Sequence, residues 1–198
     1  MRRIFALALL ATTALAAPAQ AAGLSGMGAN IFGSFFNFSK ANLEQQPVKK
    51  ISAGKLDIDL QRTKLSALVK AFGGTIQSDG DATWVCYSTG ETNNWFISNA
   101  LGGQEFVMMV AVEAASRKPA DCDASESFTG LTFNVPGLGA KTAEIKAHFG
   151  SAAGSGKITY RADQPGGYTD NAQYLGYQMK GGAVAGIGVG ETSIPTTH

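Results

Sequence analysis

The chain has 198 residues, with 16 lysines and arginines against 15 aspartates and glutamates, 25 glycines, two cysteines and two histidines. A balance this close to neutral, with no basic cluster, excludes a surface that tracks a phosphate backbone, so nucleic acid is not expected as a partner. The length makes one ordinary domain or two small ones sharing a core, and the glycines fall between apolar periodic segments, so a globular fold is expected.

Residues 1–21 read as an export signal. Arg2 and Arg3 open it, an almost unbroken apolar run follows over residues 4–16, and the small residues of APAQAA place cleavage after Ala21. The apolar run is shorter than the roughly 18 residues that a spanning helix needs. No cysteine lies beside the cleavage region, so no lipid attachment is expected. The mature chain, 198 − 21 = 177 residues, is therefore expected to be soluble and either periplasmic or secreted. Its charge is 14 basic side chains (16 − 2) against 15 acidic, a net of −1.

Residues 22–50 form a Phe-containing segment and linker. NIFGSFFNF, residues 30–38, carries Phe32, Phe35, Phe36 and Phe38. These rings need a cover. The segment either docks as an extra element on the rest of the domain or engages a membrane surface or a partner. Residues 40–50 read as a polar linker.

The remainder contains an internal echo. A shift of 77 positions places Phe72-Gly73 on Phe149-Gly150, Leu68 on Ile145, Lys64 on Lys141 and Ile58 on Val135, and it carries residues 107–112 onto 184–189. Between these anchors the match slips by four residues, because the stretch from Gly73 to Tyr87 is longer than that from Gly150 to Tyr160. Two similar units are expected, at residues 51–116 and 131–193, with a linker at 117–130 and a tail at 194–198.

In the first unit Leu65, Leu68, Val69 and Phe72 share one helical face, Thr63 is the expected N-cap and Gly73 the C-terminal stop. In the second the stripe is thinner, Leu138, Thr142, Ile145 and Phe149, and Gly150 stops it. Strands follow each helix, at 83–88, 94–98 and 105–113, then at 157–161, 172–179 and 183–189. SDGD, STGETN, LGGQ, QPGG and KGG supply the turns between them. The expected class is α+β: two tandem repeats, each a short helix packed on a small antiparallel sheet. One such unit buries too little apolar surface alone, and pairing two of them builds a shared core or a continuous sheet.

Cys86 and Cys122 are an even pair in a chain expected to be exported, and so a structural disulfide. Closing that loop is worth roughly 3 to 4 kcal/mol in the chain-entropy model. Zinc or redox sites would need more cysteines or histidines nearby.

Other chemistry finds little support. GSAAGSGKIT, residues 150–159, lacks the Gly-Lys-Ser/Thr ending of a phosphate loop and opens a strand, so it reads as a flexible turn. GIGVG, residues 186–190, lacks the helix that dinucleotide binding requires and reads as a thin last strand against which something packs. Asp121, Cys122 and Asp123 begin like a calcium loop, but Glu126 and Thr132 occupy its glycine and glutamate positions, leaving a solvated linker. His148 has no partner for general-base work and reads as a surface helix residue. No G-x-S-x-G occurs. No cofactor or metal is expected, and the chain is not expected to be an enzyme.

The aromatics are more informative. Trp84, Tyr87, Trp95, Tyr160, Tyr174 and Tyr177 all lie in expected strands, where alternation sends Trp84 and Cys86 to one face and Val85 and Tyr87 to the other. One face must be core, and the other offers interface anchors. Alternation does not say which is which, so Trp84, Trp95, Tyr87, Tyr160 and Tyr174 stand together as partner-binding candidates.

A helix ending in Phe-Gly, then a meander whose first strand is aromatic (TWVCY, KITY), resembles the tandem-repeat fold of beta-lactamase inhibitory proteins and the related small outer-membrane assembly lipoproteins. LTFNVPGLGAKTAEIKAHFG carries the closest likeness, and the resemblance covers residues 56–193. The acylated cysteine of the lipoprotein branch is missing. The resemblance implies a non-enzymatic module that docks a concave sheet face onto a protein partner. The alternative is an envelope-assembly component that acts through its Phe-rich N-terminal segment.

Overall fold

A computed structural model describes residues 23–36, 40–150 and 156–195. The expected export signal and the turn at residues 151–155 lie outside these. Short helices are α1 (Gly26–Phe32), α2 (Leu65–Phe72) and α3 (Thr142–Phe149). The strands are β1 (Ile51–Ala53), β2 (Leu56–Asp57), β3 (Gln77–Asp79), β4 (Ala82–Ser88), β5 (Thr92–Ser98), β6 (Met109–Ala114), β7 (Asp123–Ala124), β8 (Leu131–Phe133), β9 (Lys157–Gln164), β10 (Thr169–Lys180) and β11 (Ala183–Pro195). The class is α+β, and the sheets are almost wholly antiparallel.

Turn chemistry and alternation place the six expected strands near where the sequence puts them, with two shifts, and β1, β2, β3, β7 and β8 are short strands that the sequence reading did not foresee. The third strand of the first meander begins at Met109 instead of Glu105, because the backbone before it serves helix α2: the Glu105 carbonyl accepts from the Leu65 N–H at 2.9 Å, and Phe106 bridges to Lys64. At the other end, β11 runs through Ile194 and Pro195, residues expected in the tail, because β10 supplies pairing partners out to Thr169.

Helix α2 buries Leu65 and Leu68 and stops at Gly73, whose φ of 74° suits a residue without Cβ. Its N-cap is Lys64 and not Thr63. The Thr63 hydroxyl instead accepts the Asp59 N–H at 2.9 Å, steadying the turn that leads in. In α3 only Ile145 is buried, and the Glu144 carboxylate accepts the Lys141 N–H at 2.7 Å.

The large sheet runs in the order β3-β4-β5-β6-β11-β10-β9, with β7 alongside β4 in parallel. The two meanders β4-β5-β6 and β9-β10-β11 therefore meet through their last strands, with Ala111 opposite Gly188. A second, three-stranded sheet has the order β2-β1-β8.

Alternation gives the large sheet two apolar faces. The inner face carries Val85, Tyr87, Phe96, Val110 and Val112 from one meander and Ile158, Tyr160, Leu175, Tyr177, Ile187 and Val189 from the other. Leu65, Leu68 and Ile145 of the helices and Ile51, Ala53 and Leu131 of the small sheet close over it. The outer face carries Trp84, Cys86, Trp95, Ile97 and Ala111, and the N-terminal segment covers it with Leu24, Met27, Ile31 and Phe35. The architecture is thus three-layered.

Residues 40–50, read as a linker, are instead a strap anchored along the edge of the sheet. The Asn42 and Leu43 N–H groups donate to the Arg161 carbonyl, Leu43 bridges to Ala162 in β9, and the Val48 N–H donates to Gln173 Oε1 at 2.8 Å. The strap occupies backbone groups of an edge strand that would otherwise invite pairing with another chain. Among the described residues no helix is long and apolar enough to cross a membrane.

Candidate functional site

The outer face is floored by backbone. In β11, residues 186, 188 and 190 are glycine, and in β10 residue 176 is glycine, so the side chains that alternation would point outward are missing. The N-terminal segment takes up that space. A Cβ at Gly188 would overlap Ile31, one at Gly176 would overlap Phe35, and one at Gly190 would stand 2.9 Å from the Phe36 ring. The fit is reciprocal, since a Cβ at Gly28 of helix α1 would stand 2.7 Å from the Trp95 ring. Met27 and Ile31 of α1, with Leu24 before the helix and Phe35 after it, are spaced three, four and four residues apart and present one apolar side to the sheet.

Polar groups fix the position of this stripe. The Asp121 carboxylate accepts from the Ser25 hydroxyl at 2.6 Å, the Ser25 N–H at 3.2 Å and the Trp95 indole N–H at 3.0 Å. The Glu113 carboxylate accepts the Met27 N–H at 2.9 Å. Burial pushes Glu113 above the usual glutamate range and nearby Asp121 adds to this, while the hydrogen bonds from Met27 and Asn93 work against it. Asp79 accepts the Gly23 N–H at 3.2 Å. At the far end Lys157 lies 4.1 Å over the Phe35 ring, its pKa lowered by burial, and Phe36 packs at 5.6 Å on Tyr174, which Arg161 also covers.

Cys86 and Cys122 are joined, as expected, across 36 positions, with both sulfurs in the cluster beneath the N-terminal segment. Asp121 is only 5 % exposed. The solvated linker expected around it is therefore wrong at this point, because the disulfide draws residues 121 and 122 into the outer core.

The five partner-binding candidates do not share a surface. Tyr87 and Tyr160 point inward and are buried, each against the last phenylalanine of a helix: Phe72 at 5.8 Å and Phe149 at 4.3 Å. The Tyr87 hydroxyl donates to the Gly73 carbonyl at 2.8 Å, and burial, with Asp123 nearby, pushes its pKa up to about 12. Trp84 and Trp95 point outward, yet they are 1 % and 0 % exposed because the N-terminal segment lies on them, Gly23 beside Trp84 and Gly28 of α1 beside Trp95. Tyr174, half-buried, marks the rim. Both faces of the sheet are covered in this structure, so the free concave face expected from the sequence is not open.

Sequence reasoning missed Asp121, Glu113 and the stripe from Leu24 to Phe35. The spacing of the stripe was a legible signal, whereas the two carboxylates carried none. GIGVG was read correctly as a strand against which something packs, and the thing that packs is α1. His148 is an exposed helix residue, as expected.

A separate cleft of about 600 Å³ lies between residues 46–51, residues 57–62 and the ends of β10 and β11. On its floor the Glu191 carboxylate accepts from the carboxamides of Gln61, Asn171 and Gln173. Gln61, at φ 64°, holds the left-handed backbone that non-glycine residues rarely adopt. The network is satisfied internally and includes no nucleophile beside a base. Among the described residues no cluster of three His, Cys, Asp or Glu side chains could hold a metal ion.

No family model, no curated protein and no solved structure matches this chain.

Proposed function

We propose that the chain is an exported, non-enzymatic protein-binding module of the inhibitor-like tandem-repeat type, and that its binding site is the outer face of the large sheet. The observation that carries this reading is the fit between the glycine floor and an amphipathic segment, here the chain's own residues 24–36. The partner is a protein presenting a similar stripe, which displaces that segment. Helix-in-groove recognition of this kind reads apolar anchors three and four residues apart.

Several observations support the repeat. Helices α2 and α3, their N-cap lysines and their terminal glycines are each 77 positions apart, as are the bridges Lys64 to Phe106 and Lys141 to Ala183. The same shift relates Ala111 to Gly188, which face each other where the meanders meet, as a pseudo-twofold would require. The formed disulfide is compatible with an oxidising compartment, and with the export signal expected from the sequence it supports a periplasmic or secreted location.

The test replaces residues 37–39 with a protease site, cuts the folded protein there and strips the released fragment. A synthetic peptide of residues 23–36 is expected to rebind the stripped protein. Gly188→Leu is expected to weaken it at least tenfold, and a partner crosslinked in an envelope fraction should compete for the same face. Stripped protein that binds neither peptide nor partner would mean that the segment is only a permanent third layer. Capture that follows the freed Phe32, Phe35 and Phe36 and ignores the sheet would favour the envelope-assembly reading, with contact to a protein or a membrane surface through the segment itself.

A further inference from the structure

We infer that the Cys86–Cys122 disulfide gates the outer face: it holds Asp121 where Asp121 clasps the N-terminal segment, so reduction by a dithiol releases residues 24–36. The gate itself stands on geometry, while the consequence of opening, access for a partner, rests on the function proposed above.

Asp121 immediately precedes Cys122, and its carboxylate collects three donors, two from Ser25 and one from Trp95. Ser25 is the residue before α1, and Trp95 is the wall on which Gly28 of α1 sits. The position of one carboxylate therefore sets both the entry to the helix and the orientation of the ring beneath it. Apart from the disulfide and the bonds of its own carboxylate, the chain around Asp121 is tied down by single hydrogen bonds: Gln77 to the Asp121 carbonyl at 2.8 Å, the Thr75 N–H to the Asp123 carboxylate at 2.8 Å, Lys118 to the Cys122 carbonyl at 3.0 Å, Asn93 to the Arg117 carbonyl at 3.1 Å and the Cys122 N–H to the Pro119 carbonyl at 3.3 Å. To these β7 adds a two-residue pairing with β4. The disulfide is the covalent tie between this loop and the sheet.

The chemistry balances with a dithiol as reductant. One thiolate attacks a sulfur of the pair and displaces the other as a thiolate, giving a mixed disulfide. The second thiol of the reductant then resolves it. Two electrons and two protons pass to the protein, leaving thiols at 86 and 122 and a disulfide in the reductant. Both sulfurs are buried, Cys86 at 0 % and Cys122 at 2 % exposure, under the segment they help to hold. The reagent reaches them when the segment lifts. Linkage then requires reciprocity: reduction favours undocking, and docking resists reduction by the same factor.

The test uses the full mature chain and amide exchange, with thiol titration to confirm two free thiols after dithiothreitol. Exchange at Met27 and Ala29 is expected to rise at least tenfold on reduction, while Leu175 and Tyr177 in β10 keep their protection. Ile31→Asp, which undocks the segment without touching the disulfide, should speed reduction at least tenfold. Unchanged Met27 and Ala29 protection in protein with two free thiols would overturn the gate, and so would loss of β10 protection in step with theirs. The 23–36 peptide separates the two readings. If it binds the cut, stripped protein equally well in both redox states, the gate fails and the binding site stands. If it binds in neither state although reduction still frees the tethered segment, the binding site fails and the gate stands.

Discussion

The two halves of the large sheet agree on one face and differ on the other. With Val110 and Val112 matched to Ile187 and Val189, the ladder registers make Val85 the counterpart of Ile158, Tyr87 of Tyr160, Phe96 of Tyr177 and Asn94 of Leu175 on the inner face. Three of these four pairs match in bulk and character, and the fourth sets a buried carboxamide against a leucine. The same registers set Trp84 against Lys157, Cys86 against Thr159 and Trp95 against Gly176 on the outer face. There one half is walled by indoles and a disulfide, and the other is bare backbone filled by Phe35. The inner face has a helix over each half, with Phe72 of α2 against Tyr87 and Phe149 of α3 against Tyr160, and it carries bulky apolar residues in both. A face covered by one unrepeated segment is free to become a wall on one side and a socket on the other.

The comparison breaks most visibly on the inner face. Tyr160→Ala removes a ring stacked on Phe149 in the shared core and is expected to cost about 3 to 5 kcal/mol. The loss should be global, with amides of both meanders exposed together and a lower midpoint in denaturant. On the outer face Ile31→Ala is expected to cost about 2 to 4 kcal/mol of docking and to act locally, raising exchange in α1 while leaving β10 protected. If Ile31→Ala lowered protection of the whole sheet equally, the two faces would form one cooperative unit and the contrast would fail.

Acidity sharpens the same contrast. The Glu113 pKa is raised by burial when the segment is docked, so the docked form holds its proton more tightly than the unfolded form. Its contribution to stability is therefore fully present below the ordinary glutamate pKa and is lost as pH rises through the raised value. Protection of α1 amides, corrected for intrinsic exchange, should be greater on the acid side of that window. Glu113→Gln should flatten the dependence, and a slope unchanged in that variant would point to another group. The smallest effect is expected at Lys157, partly exposed beside Phe35. Lys157→Met should change stability by less than about 1 kcal/mol, visible only as a small shift in α1 exchange.

Particular residues show what could be read in advance. Leu65, Leu68 and Phe72 announced α2, and Gly73 its end, because a helical stripe and a left-handed stop are local matters of spacing and backbone freedom. The alternation from Trp84 to Tyr87 announced two faces for the same reason. GIGVG signalled a surface that receives something, since glycine in a strand leaves room. Thr63 misled because its hydroxyl had a competing local partner in Asp59, and Asp121 misled because a polar run near a cysteine looks solvated until the disulfide pulls it inward.

The sequence by itself determined the α+β class, the approximate places of the six meander strands, the helix stops and the pairing of its two cysteines, all of which follow from short-range periodicity, turn chemistry and an even cysteine count. Only the tertiary structure decided that the meanders join through their last strands, that the strap of residues 40–50 seals an edge, and that the aromatic outer face lies beneath residues 24–36. The physical reason is that a sheet's two faces are equivalent to its own alternation. What distinguishes them is the element that arrives to cover each, and here one cover comes from far away in the chain, Met27 reaching Glu113 across 86 positions, beyond the reach of any local pattern.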